Sequence, residues 1–208
     1  MSLINYFFPR IVHLPDTKFN RNLYINFYGD AEPTLIGNGL IQSGSIMQHI
    51  WKKGLTGLIP SNFSPRKILL LGLGTGSNAR LVSRLYPDSS ITAVELDPGM
   101  AEIGYQYCGL GKIQNLEVII QDAYDFAQAL DEDYDITLVD CFDGKYIPTK
   151  LEKLDFHRHL KQHSRFVLIN RLWYGEHRVA SQNFMNSLGT EFDFIKIHTR
   201  TNLVISLV

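Results

Sequence analysis

Cysteine is scarce. Only Cys108 and Cys141 occur in 208 residues, too few for the disulfide framework of a small secreted domain, and they do not form a CxxC pair. Both are expected to be reduced thiols in a cytoplasmic protein. A surplus of charge is also missing: 20 Lys and Arg against 21 Asp and Glu leave a net charge of −1. No basic excess is available to neutralise phosphates, so nucleic acid is not an expected partner. No run approaches the roughly 18 uninterrupted apolar residues of a membrane span. The apolar stretch Ile4-Asn-Tyr-Phe-Phe8 has no basic region before it and no small-residue cleavage site after it, so a signal peptide is not expected. Internal repeats and low-complexity segments are absent from the sequence. What remains is an ordinary globular composition, 45% hydrophobic and 20% charged, in a chain long enough to bury roughly 70% of its unfolded surface.

From Lys67 onward, short apolar runs alternate with helical patterns. Ile68–Leu71, Ile91–Leu96, Leu116–Ile120, Ile136–Val139 and Phe166–Ile169 read as strands. Between them, Leu81, Val82 and Leu85 fall at helical spacing, and Asp97-Pro98 reads as an N-cap followed by proline at the first helical position. Met100, Ile103, Gly104 and Tyr107 then share one helix face. Residues 123–130, 149–161 and 176–188 are further helix candidates. The tail carries strands over Phe192–Ile197 and Leu203–Leu207. Strands apolar on both faces and alternating with helices imply a parallel sheet covered on both sides, here ending in an antiparallel hairpin at one edge. The expected fold is α/β, a doubly wound, mostly parallel seven-stranded sheet that resembles the Rossmann-like class I S-adenosylmethionine-dependent methyltransferases. Residues 67–208 form that domain. Residues 1–66, with a strand over Leu23–Tyr28 and a helix over Ser45–Leu55, are read as a short N-terminal extension.

The strongest motif is Leu70-Leu-Gly72-Leu-Gly74-Thr75-Gly76-Ser-Asn78 between a strand and a helix. Glycines let the backbone turn tightly and approach a ligand, and the following helix start supplies free N–H groups. Glu95 ends the next strand, 19 residues after Gly76, where a carboxylate can accept two hydrogen bonds from a ribose diol. The spacing is Gly-x-Gly-x-Gly, with Ser77 standing where a dinucleotide fingerprint wants glycine. That moves the expectation from a nicotinamide cofactor towards S-adenosylmethionine. Asp122-Ala123, after the third strand, completes the set, with Asp122 placed to meet the adenine amine. Gly72, Gly74, Thr75, Gly76, Glu95, Leu96, Asp122 and Ala123 are the expected cofactor contacts.

A second acidic loop, Val139-Asp140-Cys-Phe-Asp143-Gly-Lys-Tyr146, follows the fourth strand. Amine nucleophiles are protonated near neutrality, with a pKa of about 10. A carboxylate beside a sulfonium can hold the ammonium, take its proton and free the lone pair for attack. Asp140 and Asp143 are the candidate catalytic pair; ordinary turn chemistry is the alternative reading of Asp-x-x-Asp-Gly.

Residues 67–148 resemble the spermidine synthase (aminopropyltransferase) family. The match lies in the glycine loop, Val94-Glu95-Leu96-Asp97, Gln121-Asp122-Ala123 and Asp140-Cys-Phe-Asp143, and upstream in Gly39-Leu-Ile-Gln42. The resemblance implies that Glu95 binds ribose, Asp122 and Ala123 bind adenine, Asp140 acts on the attacking amine, Asp143 helps hold it, and Gln42 and Tyr146 line the substrate pocket. It implies S-adenosylmethionine or its decarboxylated form as co-substrate, no metal, a small-molecule amine as partner and a homodimer. Three positions depart from the family. Thr75 stands where an aspartate meets the aminopropyl ammonium, Ser-Gly-Ser-Ile-Met-Gln-His follows Gln42 in place of a Tyr-His-Glu-type motif, and the loop after Asp143 lacks the family's proline and acid. Losing a charged hydrogen bond to a buried ammonium costs about 1.5–3 kcal/mol, so the donor site is better kept than the acceptor site.

Two alternatives follow. One is methyl transfer to a small molecule, which Thr75 favours and Leu70 opposes, since many methyltransferases have an acid two residues before the first glycine. The other is a nucleoside-binding protein without catalysis. The Pro-Cys and Asn/Asp-Pro-Pro-Tyr loops of nucleic-acid methyltransferases are missing, so Cys141 is expected to be a packed thiol. His157, His159 and His163 have no spaced acid or cysteine to complete a metal site and read as a solvated helix. Asn170, Arg171, Trp173 and Tyr174 are candidates for the substrate wall.

Overall fold

In a computed structural model, the structure describes residues 9–208. The apolar run read as lacking a leader's features, Ile4–Phe8, lies outside the described residues. Two sheets organise the rest. The smaller is an antiparallel meander of β1 (Arg10–His13), β2 (Tyr24–Phe27), β3 (Thr34–Gly37) and β4 (Leu40–Ile41). Asn38 and Gly39 join the last two strands with φ of 52° and 75°, as the tight Asn-Gly hairpin turn requires. Helix α1 (Ser45–Leu58) then leads into the main sheet.

That sheet contains β5 (Lys67–Leu71), β6 (Ser90–Glu95), β7 (Leu116–Ile120), β8 (Tyr134–Val139), β9 (Ser164–Leu172), β10 (Phe194–His198) and β11 (Asn202–Leu207), in the order β10-β11-β9-β8-β5-β6-β7. The pairs among β5–β9 are parallel, and β11 pairs antiparallel with both β9 and β10. The doubly wound sheet with its edge hairpin is thus the arrangement expected. Strand periodicity explains the unbroken aliphatic runs. Ile68 and Leu70 enter the core on one sheet face, and Leu69 and Leu71 enter the core on the other, because successive side chains alternate faces. One face carries α1 and α2 (Ser77–Leu85); the other carries α4 (Ala123–Gln128), α5 (Leu154–Gln162) and α6 (His177–Leu188).

Helix α3 (Pro98–Tyr107) begins as read, with the Asp97 carboxylate accepting from Gly99 N–H at 3.1 Å. Its Met100 and Ile103 pack against Leu23, Ile25 and Leu35 of the smaller sheet. At Gly104 a Cβ would stand 3.1 Å from the Thr75 carbonyl oxygen, so the small residue brings this helix against the glycine loop. The 149–161 helix is split. A 3-10 turn over Thr149–Glu152 precedes α5, because Lys153 is extended at φ −70°, ψ 141°. Helix α4 stops at Gln128, short of Leu130, with Ala129 capping it. Among the described residues, no helix is long and apolar enough to cross a membrane.

Candidate active site

The carboxyl ends of β5, β6, β7 and β8 meet at one edge of the main sheet, and a cavity of about 770 Å³ opens above them. Ligands of open α/β sheets bind at such an edge. The glycine loop forms its floor. Gly72 has φ of 91°, and a Cβ there would collide with the Asp140 carbonyl oxygen. Asp140 N–H donates to the Leu71 carbonyl at 2.8 Å. The loop after β5 and the acidic loop after β8 are therefore held together by backbone contact that only glycine permits. Of the residues expected at the site, Gly72, Gly74, Glu95, Leu96, Asp122, Ala123, Asp140, Asp143 and Gln42 line this cavity.

Three expected residues stand off its lining. Thr75 is fully buried with its hydroxyl 2.6 Å from that of Ser43, facing the segment before α1. Gly76 is the left-handed N-cap of α2, turned from the cavity toward Leu110. Tyr146 is 59% exposed and packs its ring beside His177. It is carried outward by the tight Asp143–Tyr146 turn, whose backbone groups bond reciprocally at 2.8 and 3.0 Å.

A carboxylate offers about four lone-pair directions, and counting them says what each acid can still bind. Glu95 accepts from Gly74 N–H at 2.7 Å and Asp97 N–H at 2.9 Å, with Leu73 N–H also turned to the carboxylate. Burial pushes its carboxyl up, against these three N–H groups. Asp122 caps α4 through Tyr124 and Asp125 N–H groups at 2.9 and 3.4 Å, and its second oxygen is held by the Lys150 ammonium at 2.5 Å. Burial raises its carboxyl, but Lys150 and the cap outweigh that and leave it below the usual range. One direction stays free.

Asp140 is the most heavily tied. Trp51 Nε1–H donates to Oδ2 at 2.8 Å, Asn78 Nδ2–H to the same oxygen at 2.6 Å, and Asn170 Nδ2–H to Oδ1 at 2.8 Å. Loss of water raises its carboxyl and the three donors oppose the rise, with the upward shift winning. One lone-pair direction remains for a ligand N–H. Asp97 is fixed by Thr17 and by Asn20 Nδ2–H at 2.8 Å, and Asn20 in turn accepts from Gln42 Nε2–H at 3.1 Å. The smaller sheet is thereby tied to the end of β6. Asp143 sits exposed at the rim, with no side-chain hydrogen bond or ion pair among the described residues.

Trp51, Asn78, Asn20 and Lys150 escaped sequence reasoning. A signal existed for Trp51 alone: a tryptophan on an apolar helix face needs a partner for its N–H when buried. The Cys141 thiol is pushed well above its ordinary value by burial and then by the charges of Glu95 and Asp140, so it stays a neutral thiol. His157 corrects the solvated-helix reading. It is 0% exposed between the rings of Phe156 and Phe184, and burial drives it down to about 4. No group of three or more His, Cys, Asp or Glu among the described residues is arranged to hold a metal ion. Arg171 and Trp173 are not walls of the cavity: Arg171 pairs with Glu152 at 2.6 Å and Trp173 packs on His198, whereas Asn170 and Tyr174 do line it.

The spermine/spermidine synthase domain matches residues 49–170. The chain belongs to that family. It is 36% identical over 111 residues to the polyamine aminopropyltransferase of Vibrio vulnificus, a match covering 52% of this chain and 37% of that protein. It is 28% identical over 194 residues to the polyamine aminopropyltransferase of Chromobacterium violaceum, covering 89% and 71%. The chain thus spans little more than a third of the first of these relatives. A spermidine synthase solved in complex with the transition state analogue AdoDATO superposes with a TM-score of 0.74 at 12% identity, covering 96% of this chain and 73% of the other. That likeness establishes the fold, a Rossmann-like class I methyltransferase fold. The family match covers Trp51, the glycine loop, Glu95, Asp122, Asp140 and Asn170.

Proposed function

We propose that the protein transfers the aminopropyl group of decarboxylated S-adenosylmethionine to an amine. In this reading the Gly72–Gly74 backbone and Glu95 hold the ribose, with the Glu95 carboxylate meeting its diol. Leu96, Ala123 and the remaining direction of Asp122 hold adenine. The amine binds as its ammonium and gives its proton to Asp140, whose raised carboxyl suits a proton acceptor better than an ordinary aspartate does. The freed lone pair attacks the methylene beside sulfur. A C–N bond forms as the C–S bond breaks, the electron pair neutralises the sulfonium to the thioether methylthioadenosine, and the proton passes to solvent. Residues 67–208 carry the donor site, and the segment up to residue 66 closes it through Gln42 and Trp51. A cytoplasmic setting agrees with two unpaired thiols, and a homodimer belongs to the same reading.

One observation carries it. Five carboxylates (Glu95, Asp97, Asp122, Asp140 and Asp143) line the cavity against two ammonium groups, Lys145 and Lys150. Both lysines are already paired, with Glu176 at 3.1 Å and Asp122 at 2.5 Å. The field of such a cleft favours a dication donor and a cationic acceptor over a donor tail that bears a carboxylate. The test is mass spectrometry of a reaction mixture containing the protein, the decarboxylated donor and a panel of primary amines. An adduct heavier by one aminopropyl group, with methylthioadenosine, is expected. Methyl transfer is the second reading, favoured because Thr75 is packed on Ser43 and the glycine loop brings no carboxylate to the donor tail. It yields S-adenosylhomocysteine from S-adenosylmethionine instead.

A further inference from the structure

The three donors on Asp140 are held in different ways. The Trp51 indole has only a donor to offer, whereas a carboxamide has a donor at one end and an acceptor at the other. A half-turn of the Asn170 amide would put its oxygen against the Asp140 carboxylate. Asn170 is 1% exposed and meets a partner at each end. Its Nδ2–H donates to Asp140 Oδ1 at 2.8 Å, and its Oδ1 accepts from Asn202 Nδ2–H at 2.9 Å. Asn202 is 3% exposed, and its own oxygen accepts from the Thr201 hydroxyl at 2.8 Å. The chain therefore has one polarity, from hydroxyl through two amides to carboxylate, with each group donating toward Asp140. Hydrogen bonds aligned in this way polarise one another.

The far end of the chain is fixed by backbone. Asn202 N–H donates to Thr199 Oγ1 at 3.0 Å, Thr199 N–H to the Asn202 carbonyl at 2.8 Å, and Trp173 N–H to the Thr201 carbonyl at 2.7 Å. Asn202 pairs with Leu172 and Val204 with Asn170, so the two asparagines are diagonal neighbours on one face of the antiparallel pair β9–β11. Asn202 lies beyond residues 49–170, the span of the family match.

We propose that Asn202 is a positioning residue for the proton acceptor: by holding the Asn170 oxygen it keeps the Asn170 N–H aimed at Asp140. The inference rests on the aminopropyl-transfer reading and adds to it a residue of the C-terminal hairpin. Without the Asn202 amide, the Asn170 oxygen loses its donor in a buried place and the Asn170 amide is free to turn. Each turn replaces an N–H that favours the charged carboxylate with an oxygen that opposes it. From α1, α2 and β9 the groups bonded to Asp140 are all uncharged. Cys141 and Asp143 from its own loop and Glu95 from β6 share the cavity without bonding its carboxylate, and Lys145 and Lys150 are paired elsewhere.

The test titrates Asp140. Carbon-13 NMR of its carboxyl reads the midpoint without turnover, and the acid limb of methylthioadenosine release from the decarboxylated donor reads it in the working protein. Asn202→Leu and Asn202→Ala each remove the amide. In whichever variant retains the wild-type circular dichroism, the Asp140 acid constant is expected to fall about threefold or more, which moves the midpoint up by about half a pH unit. The same change made in an Asn170→Leu background is expected to leave the midpoint in place, because the effect passes through Asn170. A merely structural role lowers rates at every pH with the midpoint unmoved. An unmoved midpoint therefore overturns the proposal, and so does an equal shift in both backgrounds. The wild type supplies a check that needs no variant: the Asn202 side-chain amide resonances are expected to follow the Asp140 midpoint, and resonances flat across it overturn the assignment. A wild type that titrates in this way yet releases no methylthioadenosine overturns the transfer reading and leaves the positioning role standing.

Discussion

The indole N–H of Trp51 donates to the Asp140 carboxylate at 2.8 Å across 89 positions of sequence. A side chain of α1 is thereby built into the acid that ends β8. Trp51→Phe keeps the ring and removes one of three donors that favour the charged carboxylate. With that donor gone the Asp140 pKa rises further, so the acid limb of the pH–rate profile is expected to move to higher pH. Donor affinity is expected to stay within threefold. An unmoved acid limb with a folded variant contradicts the role given to the indole.

Asp140→Asn removes the proton acceptor and leaves the glycine loop and Glu95 in place. Loss of general-base catalysis typically costs 10²–10⁴-fold in rate, so turnover is expected to fall by about a hundredfold or more while calorimetry shows donor binding within threefold of wild type. Asp143→Asn is expected to act mainly on the KM of the amine. Unchanged turnover in Asp140→Asn contradicts the mechanism.

Glu95 holds the glycine loop with one oxygen and the start of α3 with the other. Glu95→Gln turns an acceptor into a donor against one of these N–H groups and weakens the bonds offered to the ribose diol. Charged hydrogen bonds contribute about 1.5–3 kcal/mol, so donor affinity is expected to drop roughly tenfold to a hundredfold. Isothermal titration with the decarboxylated donor measures it, and a change below twofold contradicts the assignment.

Much of this is legible in the sequence. The glycine loop, the strand-end Glu95 and the Asp97-Pro98 helix start are local patterns in which backbone geometry and residue type agree, and the structure puts them where the spacing says. The strand read over Leu23–Tyr28, the helix read over Ser45–Leu55 and the tail hairpin are there for the same reason, with the helix running on to Leu58. The strands Arg10–His13, Thr34–Gly37 and Leu40–Ile41 are not legible: runs of four, four and two residues carry too little alternation to stand out. Nor does a sequence say which way Thr75 points, because its direction is set by packing against Ser43. Asn78 and Asn170 become Asp140 ligands only once β5, β8 and β9 lie side by side. His157 was missed for a different reason. Phe156, His157 and Leu160 repeat at the spacing of a buried helix face, a period that the polarity of the imidazole masks.

The burial of His157 gives a pH dependence of stability with a definite sign. Its folded pKa of about 4 lies below the model-peptide value of 6.5, so between those values the unfolded chain binds the extra proton. Stability is complete above about pH 6.5 and is lost as pH falls toward 4, by about 2 kcal/mol between pH 7 and 4.5 for this group. Urea unfolding at the two pH values, for wild type and His157→Phe, isolates it. The wild type is expected to lose about 2 kcal/mol more than the variant, and equal losses contradict the assignment.

Calorimetric titration of the purified protein with decarboxylated S-adenosylmethionine, S-adenosylmethionine and methylthioadenosine, in one buffer, tests the central claim most directly. The acidic cavity is expected to bind the decarboxylated form at least tenfold more tightly than S-adenosylmethionine, a difference of about 1.4 kcal/mol. Equal or tighter binding of S-adenosylmethionine contradicts aminopropyl transfer, and binding of none of the three contradicts the adenosine site itself.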